Sequence, residues 1–217
     1  MLRSRRNRRR VANLVGEHPL PTPGAVSIVV YFADTKVNLY QIRQWYAPLA
    51  ELSKRFPVSI IARSPSTVLA LWDEAPVPTV YLRRVSELEQ FVSEQPLKIV
   101  FYVNQNAKNF QMFRYGRMWH VFINHGESDK MYMTTNQFKA YDFSFVAGAA
   151  ALDRLSTNCG ISIWRRKQSR LVAHRPTTLP VNCLTRQMPA RSSCMRRRGR
   201  ATGKRRPMAR SLPTVSL

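Results

Sequence analysis

His125, Gly126, Glu127, Ser128, Asp129 and Lys130 follow directly on an apolar run ending at Ile123 and Asn124. They bring together an imidazole, a flexible backbone position, a hydroxyl, two carboxylates and an ammonium. An imidazole exchanges a proton near neutral pH, which makes His125 a candidate catalytic base. Ser128 and Lys130 can hold phosphate oxygens, so Gly126, Ser128, Asp129 and Lys130 are candidate substrate contacts. The same residues also read as a turn, with Ser and Asp capping a helix and His solvated. Asn104, Gln105 and Asn106 form a second polar cluster after another apolar run. Their amides can grip hydroxyls or phosphate without a change of charge, or can cap a helix.

Both clusters need a scaffold that brings strand ends together. Apolar, β-branched and aromatic runs at residues 26–32, 58–62, 79–82, 98–103, 119–123 and 143–146 read as strands. Between them, helical patterns are expected at 64–74, 86–94, 105–115 and 136–141, with another starting at 148. Ile42, Trp45, Leu49, Leu52 and Phe56 recur at threes and fours as one helical face, which Pro48 should kink or divide. This alternation predicts an α/β fold with a Rossmann-like parallel sheet. Ligands in such sheets sit beyond the carboxyl ends of the strands, where both polar clusters fall.

The charge is strongly basic but unevenly placed. Of the formal +23, residues 1–10 carry +6, residues 11–160 only +2, and residues 161–217 carry +15 with no acid. A nucleic-acid-binding domain would interleave basic and aromatic residues over its folded surface, so specific nucleic-acid binding is not expected of the middle. The basic ends could bind phosphates or an anionic membrane surface without specificity, or simply be solvated. Closely spaced prolines at 19, 21 and 23 mark a linker, giving a basic arm and Pro-rich linker over 1–25 and an ordered domain from 26 to 158. Residues 159–217, rich in Arg, Pro, Ser and Thr, read as a tail of low order.

Several classes of function drop out. Glycine spacing of the dinucleotide or Walker type is absent, so neither loop is supported. Cys159, Cys183 and Cys194 have no close pairing of the zinc kind, and an odd number implies no disulfide framework. No cofactor and no metal are therefore expected, and a reducing, cytoplasmic compartment fits. No apolar run reaches the roughly 20 residues needed to span a bilayer, which leaves a soluble or membrane-peripheral chain on the inner face of the plasma membrane.

Residues 122–130, with Asn136-Gln137-Phe138-Lys139-Ala140-Tyr141-Asp142 and Val146-Ala147-Gly148, resemble the CDP-glycerol glycerophosphotransferase family of teichoic-acid-type polymer synthesis. The form resembled is that of high-GC Gram-positive bacteria. Tyr102 to Asn106 and Asn109 to Tyr115 resemble the same group, and the similarity spans residues 28–154. The resemblance implies the N-terminal, acceptor-side half of a two-domain GT-B type fold. It also implies transfer of glycerol phosphate from CDP-glycerol to a hydroxyl of a polymer or lipid-linked acceptor, with release of CMP. The family's His-Gly pair maps onto His125 and Gly126, its histidine being taken as the base that removes the acceptor's hydroxyl proton. His120, inside a strand, reads as a packing residue.

The nucleotide-binding half that the resemblance calls for is not legible in residues 159–217. With codons shifted by two bases, however, residues 192–202 can encode VLYAPTWEGD, which resembles a motif at the start of that half. A frameshift between Asp153 and Arg191 would explain the basic tail and predicts a chain inactive by itself, without its donor site. A different nucleotide-linked polyol or sugar donor fits the same residues. The competing reading is a nucleic-acid or anionic-membrane binding protein that works through its basic ends.

Overall fold

The computed structural model describes residues 2–126, 136–146, 148 and 151. Six strands form one sheet: β1 (Ile28–Phe32), β2 (Val58–Ala62), β3 (Thr79–Tyr81), β4 (Ile99–Tyr102), β5 (Trp119–Phe122) and β6 (Phe143–Ser144). All pairings are parallel and the spatial order is β3-β2-β1-β4-β5-β6. The expected α/β, Rossmann-like sheet is therefore present. β1 and β2 are buried at every position, as strands covered on both faces must be.

Helices cover the two faces. α1 (Leu2–Leu14), α2 (Tyr40–Arg43), α3 (Tyr46–Ser53) and α4 (Pro65–Glu74) precede α5 (Val85–Glu94) and α6 (Phe110–Phe113). One core joins Val30, Phe32 and Ile60 to Leu39, Ile42, Leu49 and Val68 on the α2, α3 and α4 side. The other joins Val29, Tyr31 and Ile61 to Leu88, Phe91 and Met112 on the α5 and α6 side. Odd and even strand positions thus serve different cores, the period-two rule of a pleated strand.

Local chemistry accounts for where the helices stop. Pro48 lacks the N–H that would reach the Gln44 carbonyl, and the expected long helix is divided into α2 and α3 before it. Pro65 opens α4 in the first turn, where its missing donor is harmless. At α5, the Glu87 carboxylate reaches back to the Arg83 and Arg84 N–H groups at 2.7 and 2.8 Å. The segment expected to be helical from 105 to 115 is shorter, a 3-10 turn (Ala107–Asn109) running into α6. Residues Asn136–Ala140 likewise form a 3-10 turn. The helix expected from 148 lies almost wholly outside the described residues.

The N-terminal region corrects one expectation. Residues read as a basic arm ahead of the ordered domain form helix α1, because Val11 and Leu14 give it an apolar side. Val11 is buried in the core that α4 lines, and burying one such side chain contributes roughly 1.5–3 kcal/mol. The prolines that follow do not free the arm from the domain. Gln95, itself buried, donates to the Pro21 and Thr22 carbonyls and accepts from the Val26 N–H at 2.9 Å, and His18 stacks on Trp72. The basic segment 159–217 lies outside the described residues.

Candidate functional site

The strand order places a topological switch between β1 and β4. From β1 the chain runs outward through β2 and β3, then returns to β4 on the other side. At such a point the connections diverge and leave a crevice beyond the strand ends. Asp34 follows β1, Asn104 follows β4, and His125 follows the neighbouring β5.

These three residues are joined through a fourth, Gln41. The Asn104 side-chain amide donates to Asp34 Oδ2 at 3.0 Å and to Gln41 Oε1 at 2.6 Å. That fixes the Gln41 amide, whose Nε2 then faces His125 Nε2 at 3.5 Å and Tyr40 Oη at 3.4 Å. Gln41 and Asn104 are buried; Asp34 and His125 are partly exposed. Asp34 Oδ1 accepts from the Thr35 N–H at 2.7 Å, so the carboxylate is held at both oxygens.

The imidazole has a defined tautomer. His125 Nδ1 lies 2.7 Å from the Val103 carbonyl, which only accepts, so Nδ1 carries a proton and in the neutral ring the lone pair is on Nε2. A neutral ring held in this way presents Nε2 as its basic atom. The 3.5 Å approach of the Gln41 amide is long for a hydrogen bond and leaves that lone pair open to a shorter partner. The Tyr40 ring meets the imidazole edge-on at a centroid distance of 6.0 Å.

The turn carrying the ring is shaped by three constraints. Asn124 adopts φ 61°, a left-handed conformation that asparagine tolerates, and its side-chain oxygen accepts from the His125 N–H at 2.8 Å. Trp45 Nε1 donates to the Asn124 carbonyl at 2.6 Å and ties the turn to the start of α3. Gly126 has φ 138°, which suits glycine, and its α-carbon faces open space.

The structure thus unites His125 and Asn104 among the residues expected from sequence, and it leaves Gly126 exposed beside them. Asn106 spends its side chain on the capping role, accepting from the Lys108 N–H at 2.9 Å. Gln105 is partly buried next to it. Ser128, Asp129 and Lys130 lie outside the described residues. Gln41 and Asp34 were not singled out as site residues. Gln41 carried one legible signal, an amide between Leu39 and Ile42 on a face that is otherwise apolar.

His120 occupies the packing position expected of it. It is buried, with Nε2 2.9 Å from the Tyr115 carbonyl and Nδ1 2.8 Å from the Tyr102 hydroxyl. The carbonyl requires the Nε2 proton, so in the neutral ring Nδ1 accepts from Tyr102. Burial raises the Tyr102 phenol well above its usual range, which keeps it protonated for this contact. Asn109 donates to the Asn104 carbonyl at 2.8 Å and to the Tyr141 hydroxyl at 3.2 Å, carrying support from this aromatic cluster to the site. No protein-family model matches this sequence, and no curated protein matches it.

Proposed function

We propose that this chain is the acceptor-side half of a CDP-glycerol glycerophosphotransferase-like enzyme of teichoic-acid-type cell-wall synthesis, with His125 as its base. The observation that carries the reading is the His125 ring: Nδ1 lies 2.7 Å from the Val103 carbonyl, which leaves Nε2 as the ring's basic atom at the carboxyl edge of a parallel sheet. In the proposed reaction, Nε2 takes the proton of an acceptor hydroxyl as its oxygen bonds to the glycerol-bearing phosphorus. The bond from that phosphorus to the bridging oxygen breaks, and CMP leaves. Buried Gln41 and Asn104 orient the acceptor side, and exposed Gly126 leaves the backbone open to a bulky anion.

Positioning chemistry needs both substrates held, so the chain alone should not turn over. Among the described residues no helix is long and apolar enough to cross a membrane. We place the protein in the cytoplasm, meeting a lipid-linked acceptor at the membrane surface. The test is CMP release from CDP-glycerol with a glycerol-phosphate-primed acceptor. The chain alone should release none, and a gene with its frame restored between the codons for Asp153 and Arg191 should release CMP. His125→Ala should lower that rate by about 10²–10⁴-fold, the usual worth of a general base. An unchanged rate in His125→Ala refutes the assignment, and turnover by the chain alone refutes the need for a donor half.

A second reading has its own observation. α1 exposes Arg5, Arg6, Arg8, Arg9 and Arg10 and has no acid in its first turn, a surface suited to polyanions. Binding to anionic vesicles or DNA that falls steeply with salt and disappears when residues 2–10 are removed would favour it.

A further inference from the structure

Arg63 sits one residue past β2, across β1 from Asn104 and His125, and its surroundings are unusual for a buried cation. It is only 8% exposed, yet it belongs to none of the ion pairs among the described residues, which are Arg43–Glu74, Lys54–Glu51 and Arg84–Glu87. Its two contacts are neutral: Nη1 donates to the Arg84 carbonyl at 3.0 Å and Nη2 to Gln111 Oε1 at 2.9 Å. A guanidinium has five N–H donors, and these two contacts use two of them, which leaves donors for a further acceptor. Removing a charge from water without a counter-charge is unfavourable, and structures usually answer it with a carboxylate or a ligand.

A second unpartnered group follows the arginine's acceptor in the chain. Tyr115 lies just past the end of α6, which carries Gln111, and its hydroxyl is buried without a hydrogen-bond partner among the described residues. Tyr31 completes the setting, its hydroxyl 3.4 Å from Gln111 Oε1 and 3.3 Å from the Lys108 carbonyl. Arg83 and Arg84 at the start of α5 and Lys108 before α6 add positive charge around this corner, offset in part by Glu87 and by Glu89, whose carboxylate acts on the Tyr115 hydroxyl. The field favours a dianion over a monoanion.

We propose that Arg63 anchors a phosphate-binding subsite at the carboxyl edge of β2, with the Tyr115 hydroxyl as its second donor. The guanidinium is held rigid by the Arg84 carbonyl and Gln111, and its remaining N–H groups match phosphate oxygens. The ligand class is a small molecule bearing a terminal phosphate. This subsite lies on the opposite side of the switch point from His125 and does not depend on the role proposed for that residue.

The test is titration of the full chain with inorganic phosphate at constant ionic strength, followed by calorimetry and by amide chemical shifts. Saturable binding is expected, with perturbed amides around Arg63 and Tyr115. Arg63→Gln should weaken it at least tenfold and abolish the rise in Tm that phosphate gives the wild type. Tyr115→Phe removes only an unpartnered hydroxyl, so the fold should persist while affinity falls about threefold or more. His125→Ala should bind as the wild type does, which separates this inference from the transferase reading. No saturable binding, wild-type affinity in Arg63→Gln or Tyr115→Phe, or equal affinity for acetate would each overturn the proposal.

Discussion

Replacing Asn104 probes the network that links the switch point to His125, and the choice of replacement separates packing from charge. Asn104→Ala deletes both donated hydrogen bonds, the 2.6 Å bond to Gln41 Oε1 and the 3.0 Å bond to Asp34 Oδ2. Partly exposed Asp34 can turn to water, but buried Gln41 Oε1 is left without a donor. An orphaned buried acceptor costs about 1–3 kcal/mol, so we expect a loss of ~2 kcal/mol. For a chain of this size that lowers Tm by roughly 4–8 °C. Asn104→Asp keeps the shape and places an oxygen where the nitrogen was, 3.0 Å from the Asp34 carboxylate. Two unit charges at that separation repel by ~5 kcal/mol at an effective dielectric of about 20. Solvent at Asp34 and a shared proton relieve most of this, leaving about 1–2 kcal/mol beyond the alanine variant. Because repulsion raises a carboxyl pKa in the folded state, that state binds more protons than the unfolded one, and the aspartate variant should regain stability between pH 7 and pH 5. Chemical denaturation of both variants at the two pH values is the assay. Equal stability of the two at pH 7, or no recovery specific to Asn104→Asp, would refute the network.

Two further outcomes follow from burial. The Tyr31 phenol is pushed up to about 12, chiefly by burial, from its ordinary value of 10.0. Its stabilising contribution is complete below pH 10 and is lost as pH rises toward 12, so Tyr31→Phe should flatten the alkaline loss of stability seen in denaturant titrations. Val11→Asp places a charge in the core shared with α4 and should release α1, lowering helical circular dichroism while β1 to β6 persist.

Much of the scaffold was legible because parallel strands buried on both faces appear as uninterrupted β-branched and aromatic runs. All six expected strands occur, each within a few residues of its expected ends. The helices after β4 were less legible: Asn106 caps a tight turn, and the chain needs only a short helical stretch before β5. The α1 arm was misread because charge dominates its composition, while the few apolar residues that dock it carry the folding energy.

His125 and Asn104 could be named from sequence because their chemistry stands at the ends of recognisable strands. By itself, the sequence determined the class of sheet, the basic ends and the presence of an imidazole after an apolar run. Only the tertiary structure decided that Gln41, 84 positions away in the chain, lies 3.5 Å from that imidazole. It also decided which ring nitrogen carries the proton and left Arg63 without a carboxylate partner among the described residues. The physical reason is that hydrogen-bond direction and charge compensation depend on which strand ends become neighbours. Periodicity predicts that the strands exist, whereas their order emerges only when the crossover from β3 to β4 sets β4 beside β1.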